Sequence, residues 1–276
     1  MSTDDLPSGY QQVDSSADPD ALLEAMEVTA AWPATVDLRS WERDRLALAG
    51  GERLLDVGCG LGEAARALAV DLGATGEVLG LDTSTAMLAR ARTDWDVECP
   101  AHFALGDAMA LGVPSGSFDA ARAERVLQWL PDPRSALTEL ARVLRAGGRV
   151  SLIDTDWGSL RLDIGDEALT SAVQRTMAVE RHRPSRVGRR LADLAEAAGF
   201  RDVETTQATQ VWSDWDPDRS PAPDGCFSMR DLADDMVEAG ELDAADLEGF
   251  VAAAQDAARN GRFTMSLTMH AVVGTR

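Results

Sequence analysis

The sequence predicts an α/β fold: a doubly wound, mostly parallel sheet with helical lid elements. Three observations carry that expectation. From 53 to 153, short apolar runs alternate with helical stretches, the rhythm of strand–helix–strand units. The runs are nearly continuous in apolar residues, as strands covered on both faces require. The first, Arg53-Leu54-Leu55-Asp56-Val57, passes into Gly58-Cys59-Gly60-Leu61-Gly62 and then a helix, a turn that lets backbone N–H groups meet a ligand. A chain of 276 residues with 45% hydrophobic content can bury a sizeable core, and no linker divides it, so 1–276 reads as one domain.

The elements follow in order. Residues 1–20 are polar and rich in Ser and Asp. Asp18-Pro19 opens a helix through Leu22, Leu23, Met26 and Thr29, with proline in the first turn. A second helix runs from Ala34 through Leu38, Trp41 and Leu46 to Gly50-Gly51. After the glycine turn, Ala64, Ala65, Leu68 and Leu72 mark a helix, 77–81 is a strand, and Ala86, Met87, Leu88 and Ala91 mark the next helix. Strands are expected at 102–105, 117–121 and 150–153, with a helix through Leu137, Leu140, Val143 and Leu144 before the last of these. From Asp154 the rhythm loosens. Helices are expected at 167–181, 187–198, 228–239 and 244–259, strands at 201–212 and 263–273, and a Pro/Asp-rich loop at 213–226.

Composition removes several functions. The 26 basic residues face 47 acidic ones, for a net charge of -21, and every basic residue is Arg. Without lysine there is no internal Schiff base, no pyridoxal-phosphate lysine and no Walker-type phosphate loop. Tyr10 is the one tyrosine, which argues against a core tyrosine acid. Strong acidity disfavours nucleic-acid and anionic-membrane partners. No apolar stretch reaches the ~20 residues of a membrane span. The first basic residue, Arg39, comes too late for a secretory n-region. Cys59, Cys99 and Cys226 are scattered with no C-x-x-C pair, so neither a disulfide framework nor a metal site is expected. The expectation is a cytoplasmic protein without membrane insertion.

The strand ends carry the chemistry. Glu63 stands where a dinucleotide fingerprint needs its third small residue, and Asp56 repels a pyrophosphate while suiting an ammonium or sulfonium. Asp82 closes the second strand, where a carboxylate can accept two hydrogen bonds from a ribose diol. Gly106-Asp107-Ala108 closes the third, where a carboxylate can take the exocyclic amine of adenine. Three acids at the carboxyl ends of consecutive strands converge on the edge where open α/β sheets bind ligands. The ligand so described has a ribose, an adenine and positive charge, but no phosphate. S-adenosylmethionine fits; a nicotinamide dinucleotide does not.

With LLDVGCGLGE (54–63), the runs LGLDTSTAMLARAR (79–92), ALGDAMAL (104–111), FDAARAERVLQWLPDP (118–133) and LARVLRAGGRVSLID (140–154) stand in the expected order. On them the segment 54–149 resembles the class I S-adenosylmethionine-dependent methyltransferases, in the small-molecule branch that includes ubiquinone- and menaquinone-biosynthesis enzymes. The resemblance implies a Rossmann-like sheet of seven strands with the last antiparallel. It implies that Gly58, Cys59 and Gly60 line the methionine moiety, with Asp56 near its ammonium. Asp82 would hold the ribose hydroxyls, Thr83 and Met87 flank the adenosine, and Gly106, Asp107 and Ala108 read the adenine edge. Ala123 and Glu124 would face the sulfonium end, with Gln128 close by. Residues 1–50 would form a helical lid with Tyr10 folding over the cofactor, 51–154 the cofactor core, and 155–276 the acceptor cover and last two strands.

The acceptor side is poorer in signals. Methyl transfer is an in-line displacement that asks mainly for positioning and dryness, and a base is needed only where the acceptor loses a proton. Some related O-methyltransferases carry a histidine after the fourth strand, where Trp129 stands here. Asp154 is the first candidate base, with a loop-stabilising aspartate the preferred reading. His182, just before a proline, is the second and reads also as a helix C-terminal cation. His102 and His270 read as structural, Cys59 as a small turn residue, and Glu124 also as a salt-bridged carboxylate. Trp157, Trp212 and Trp215 either wall the acceptor or pack the core, with packing preferred. The expected activity is methyl transfer to O, C or N of a small-molecule acceptor in natural-product or quinone-type biosynthesis. The alternatives are a cofactor-binding cyclase or rearrangement enzyme without transfer, and a nicotinamide oxidoreductase, which Glu63 and Asp56 oppose.

Overall fold

Seven strands form one sheet in the order β3-β2-β1-β4-β5-β7-β6. The computed structural model describes residues 13–15, 19–178 and 186–276. β1 (Arg53–Val57), β2 (Glu77–Asp82), β3 (Ala101–Leu105), β4 (Phe118–Glu124) and β5 (Leu144–Asp163) are parallel. β7 (Thr264–Thr275) runs antiparallel between β5 and β6 (Arg201–Trp212). The helices are α1 (Pro19–Ala30), α2 (Pro33–Leu46), α3 (Glu63–Leu72), α4 (Thr85–Thr93), α5 (Pro133–Val143), α6 (Glu167–Ala178), α7 (Leu191–Ala197), α8 (Met229–Glu238) and α9 (Leu247–Arg259). Strand order reverses between β1 and β4, the switch point beyond which open sheets of this kind leave a crevice.

The period of two in a strand assigns each face its cover. Leu55, Val57, Ala121, Ala123, Val150 and Leu152 pack under α5 and α7. Leu54, Val78 and Ala120 face the other way, against Leu46 of α2 and Leu68 and Leu72 of α3. Asp56 and Arg122 share the parity of Leu54 and Ala120, so these charges point to the α2–α3 face, each inside a central strand. A further core lies among α6, α8, α9 and the far ends of β5, β6 and β7. There Trp32 meets Trp212 edge-on at 5.0 Å, and Trp215 lies 4.9 Å from Phe263.

Most elements fall within a few residues of expectation, and β1 and β6 begin and end where expected. Three depart. α2 stops at Leu46, where left-handed Ala47 (φ 43°) donates its N–H to the Arg43 carbonyl, short of Gly50-Gly51. β4 continues to Glu124, because Arg122 and Glu124 find charged partners inside the fold. β5 does not end at Ile153 but runs to Asp163. Asp154, Thr155 and Asp156 pair with His270, Met269 and Thr268 of β7, and after a register shift Arg161, Leu162 and Asp163 pair with Ser266, Met265 and Thr264. A partner remote in sequence holds this segment extended, although its Asp, Gly and Ser residues read locally as loop. Tyr10 and His182 lie outside the described residues. No helix among the described residues is long and apolar enough to cross a membrane.

Candidate functional site

The chain turns as soon as β1 leaves the sheet. Gly58 and Gly60 have φ of 68° and 52°, a region side chains resist. A Cβ on Gly58 would collide with Val126, and one on Gly60 would lie 2.6 Å from the Met26 methyl, so the loop after β4 and helix α1 both approach bare main chain. The N–H groups of Gly58 and Cys59 donate to the Leu81 carbonyl at 2.7 and 3.0 Å, tying the turn to β2. Gly60 N–H donates to Asp82 Oδ2 at 2.9 Å, and Ser84 N–H to Asp82 Oδ1 at 2.9 Å. Asp82 is therefore part of the turn's construction, with lone pairs left for further donors. Burial pushes its carboxyl above the ordinary range, against the pull of these N–H groups.

The N-terminal segment lies beside this turn. Asp14 accepts from Ser84 Oγ at 2.5 Å, Thr85 N at 2.8 Å and Ala86 N at 3.1 Å, closing the start of α4. Hydrogen bonds from the Ser84 and Thr85 hydroxyls hold the Asp14 carboxyl well below its usual range. Val13 is buried against Leu61 and Met87. Thr83 and Asp107 are exposed, and Asp107 Oδ1 accepts from Met109 N at 2.8 Å. Gly106 N–H donates to the Asp82 carbonyl at 3.0 Å, and Ala108 is buried just after it. The Cys59 thiol is buried, and burial, then Asp56 and Asp82, push its ionisation far up, so it stays a neutral packing group.

Beneath the turn lies a buried charge network that sequence reasoning did not assemble. Arg122 of β4 donates to Asp56 Oδ1 at 3.0 Å, to Glu42 of α2 at 2.8 and 3.1 Å, and to Glu124 at 2.7 Å. Arg39, one turn before Glu42, grips Glu124 with two bonds of 2.8 and 2.9 Å, and Arg125 approaches Glu124 at 3.5 Å. Burial raises the Glu124 carboxyl, but Arg39, Arg122 and Arg125 outweigh it and hold the group ionised well below its usual range. Asp56 goes the other way: burial, with Glu42 and Glu124 adding to it, raises its carboxyl to about 6 despite Arg122. Its Oδ2 is buried without a hydrogen-bond partner among the described residues. Arg122 was the legible signal, since an arginine among alanines in a central parallel strand must be paired.

The loop after β4 is held from below. Asp154 is 1% exposed, with Oδ1 accepting from Thr155 N at 2.9 Å and Oδ2 from Gln128 N at 3.2 Å. Burial raises its carboxyl to about 7, against these N–H groups. Gln128 is buried, and its Oε1 accepts from Trp157 Nε1 at 2.7 Å. Trp157 leans on Phe227 at 6.0 Å. Ala123 is buried on the α5–α7 face. Trp212 and Trp215 are core residues, as the preferred reading has them. The structure thus gathers Asp56, Gly58, Cys59, Gly60, Asp82 and Glu124 around the turn, sets Asp154 and Gln128 under the next loop, and leaves Thr83 and Asp107 on the surface.

A cationic nucleoside suits this donor set. One buried carboxylate oxygen lacks a donor, the glycine turn presents bare main chain, and a second carboxylate stands at the adjacent strand end. Among the described residues, the arginines beneath the turn, Arg39 and Arg122, are both bound to carboxylates, so neither is free to meet a pyrophosphate.

Comparisons with known proteins agree with that chemistry. A methyltransferase-domain family model matches residues 55–152. An uncharacterised 37.1 kDa protein in transposon Tn4556 of Streptomyces fradiae is 33% identical over 262 residues, which cover 95% of this chain and 73% of that protein. Methyltransferase GfsG of Streptomyces halstedii is 36% identical over 56% of this chain and 52% of its own, so the match spans about half of that relative. Among solved structures, phosphoethanolamine N-methyltransferase 2 of Haemonchus contortus, in complex with phosphomonomethylethanolamine and S-adenosylhomocysteine, shares the fold with a TM-score of 0.57 at 18% identity, over 97% of this chain and 60% of that one.

Proposed function

Because the chain belongs to the class I S-adenosylmethionine-dependent methyltransferases, in their small-molecule branch, we propose that it transfers a methyl group to O, C or N of a small apolar acceptor in natural-product or quinone-type biosynthesis, in the cytoplasm. The observation that carries the reading is the pair Asp56 and Asp82, at neighbouring strand ends on either side of a bare glycine turn, one with an oxygen that lacks a donor. Asp82 accepts from the ribose hydroxyls and Asp56 Oδ2 from the ammonium. Gly58, Cys59 and Gly60 line the methionine moiety, Thr83 and Met87 flank the adenosine, and Gly106, Asp107 and Ala108 meet the adenine edge. Ala123 and Gln128 lie toward the sulfonium end.

When bound, the cofactor supplies an electrophilic methyl group on a cationic sulfur. The chain's task is then to align the acceptor and keep water out. Glu124 serves through the network rather than by direct contact, its two oxygens being taken by Arg39 and Arg122. Asp154, with each oxygen on a main-chain N–H, supports the loop after β4; this favours an acceptor that arrives already nucleophilic over one that needs a base.

The test is incubation with methyl-labelled cofactor and a panel of phenols, hydroquinones and polyketides. Label in a product supports the reading. Consumption of an acceptor without label points to rearrangement instead. The reading fails if calorimetry finds tight NADH binding and no heat with S-adenosylhomocysteine.

A further inference from the structure

Helix α2 reaches into the floor of the site with two charged side chains, and its Glu42, only 1% exposed, has no role in the transfer as described. The way Arg122 distributes its donors gives it one. A guanidinium can clamp one carboxylate with two parallel bonds. Arg122 makes that clamp with Glu42, through Nε at 2.8 Å and Nη2 at 3.1 Å. Asp56, directly opposite Arg122 in the β1–β4 ladder, receives a single bond from Nη1 at 3.0 Å, to Oδ1. Among the described residues Oδ2 receives none, and it is shut off from solvent.

The charges tell the same story. Glu42, Asp56 and Glu124 face Arg122, Arg39 and Arg125, three negative groups against three positive, but Arg39 and Arg125 both sit on Glu124, which leaves Glu42 and Asp56 to share Arg122. Of that pair Asp56 is the less neutralised, with one bond from Arg122 where Glu42 has two. The surroundings of Asp56 are Arg122 and Glu124 from β4, Glu42 from α2, and the neutral Cys59 thiol of the turn with Asp82 of β2 beyond it; Arg39 of α2 acts on Glu124, with Glu63 of α3 facing Arg39.

We propose that Glu42 is a positioning residue for the cofactor's ammonium: by holding the fork of Arg122, it reserves Asp56 Oδ2 for a cationic ligand. The inference rests on the reading of Asp56 as the ammonium's partner. It makes α2 part of the cofactor site through a residue that never touches the cofactor. It also links binding to a proton. The raised Asp56 carboxyl is partly protonated near pH 6 in the free protein, and an ammonium on Oδ2 drives the proton off. Removing the Glu42 charge lets Arg122 neutralise Asp56 fully, which lowers its pKa and weakens its pull on a cation.

The experiment is calorimetry at pH 6 in buffers of different ionisation enthalpy, with S-adenosylhomocysteine, which carries the ammonium, and 5′-methylthioadenosine, which does not. The free protein releases about half a proton on binding S-adenosylhomocysteine and none on binding methylthioadenosine. Glu42→Gln weakens S-adenosylhomocysteine roughly 5- to 20-fold, leaves methylthioadenosine within about twofold, and abolishes the proton release. A purely structural Glu42 would shift both ligands together.

If folded Glu42→Gln keeps wild-type affinity and proton release while Asp56→Asn weakens S-adenosylhomocysteine, the inference is overturned and the reading of Asp56 stands. If folded Asp56→Asn binds S-adenosylhomocysteine as the wild type does, both fall. Should Glu42→Gln not fold, Glu42→Asp carries the test: the shorter acid keeps the charge but not the two-bond hold on Arg122, so S-adenosylhomocysteine weakens relative to methylthioadenosine, and unchanged affinity for both overturns the inference.

Discussion

At the carboxyl ends of β1, β2 and β4 the inward side chains are charged: Asp56, Asp82, Arg122 and Glu124. Along the same edge, β5, β6 and β7 present Trp157, Trp212, Met265 and, just before β7, Phe263. The two halves of one sheet thus meet different ligand problems. A cofactor of fixed structure rewards carboxylates held in advance at set distances, and the cost of burying them is offset by mutual pairing. An acceptor that only has to be aligned and kept dry asks for apolar area, which non-directional packing supplies. The first half is the more brittle, since each buried charge depends on its partner.

Removing a partner tests that brittleness most severely. Arg122→Ala leaves Glu42 and Asp56 buried without a cation, and is expected to cost about 3–5 kcal/mol in urea denaturation, or to prevent folding. Trp212→Ala in the apolar half opens a cavity and costs about 3–4 kcal/mol. The two separate in ligand binding: a folded Trp212→Ala protein keeps wild-type affinity for S-adenosylhomocysteine, whereas any folded Arg122 variant does not. Equal affinities in both would erase the distinction drawn between the halves.

Asp82→Ala comes next. It removes the ribose acceptor and also releases Gly60 N–H and Ser84 N–H from their carboxylate. S-adenosylhomocysteine binding is expected to weaken by about 1.5–3 kcal/mol, read by calorimetry. Unchanged affinity in the folded variant would move the nucleoside off this strand end.

Much of the first half was legible because its signals are local. A strand, a glycine turn and an acid at the next strand end fall within about thirty residues, and the turn geometry follows from the glycines themselves. What escaped was set by tertiary partners. Glu42 lies 80 residues from Arg122, and nothing near it on α2 announces a buried role. The strand character of Asp154-Thr155-Asp156 depends on β7, over 100 residues later, and so a segment of turn-forming residues read as loop. Asp154 reads as a candidate base because it follows a strand, with a loop-stabilising role preferred, and its bonds from the Gln128 and Thr155 N–H groups set it under the loop after β4.

That placement has a pH signature that sharpens the comparison. Burial raises the Asp154 carboxyl to about 7, above its value in the unfolded chain. A folded-state pKa raised in this way gives stability that is full below the unfolded pKa near 4 and is lost as pH rises through about 7. Asp56, raised to about 6, adds a smaller loss over the lower part of that window. From pH 5 to 8 the wild type is therefore expected to lose roughly 2 kcal/mol through Asp154, and Asp154→Asn to lack that part of the slope. Denaturation midpoints at the two pH values read it directly, and parallel slopes would show that Asp154 does not titrate in this window.

The smallest effect lies where the two halves touch. Trp157 of β5 donates its indole N–H to Gln128 Oε1 at 2.7 Å, joining the aromatic side to the loop that follows β4. Trp157→Phe keeps a ring against Phe227 but removes that donor, leaving a buried amide oxygen one bond short. The expected loss is about 1 kcal/mol of stability. Because Asp154 still holds the Gln128 main chain, S-adenosylhomocysteine affinity is expected to stay within about twofold. The acceptor reports the change instead: its KM rises while kcat falls less, since the loop's side chain loses its anchor but the cofactor floor does not move. A matched fall in cofactor affinity would mean that the aromatic half and the charged half act as one unit, and that the division between them is too sharp.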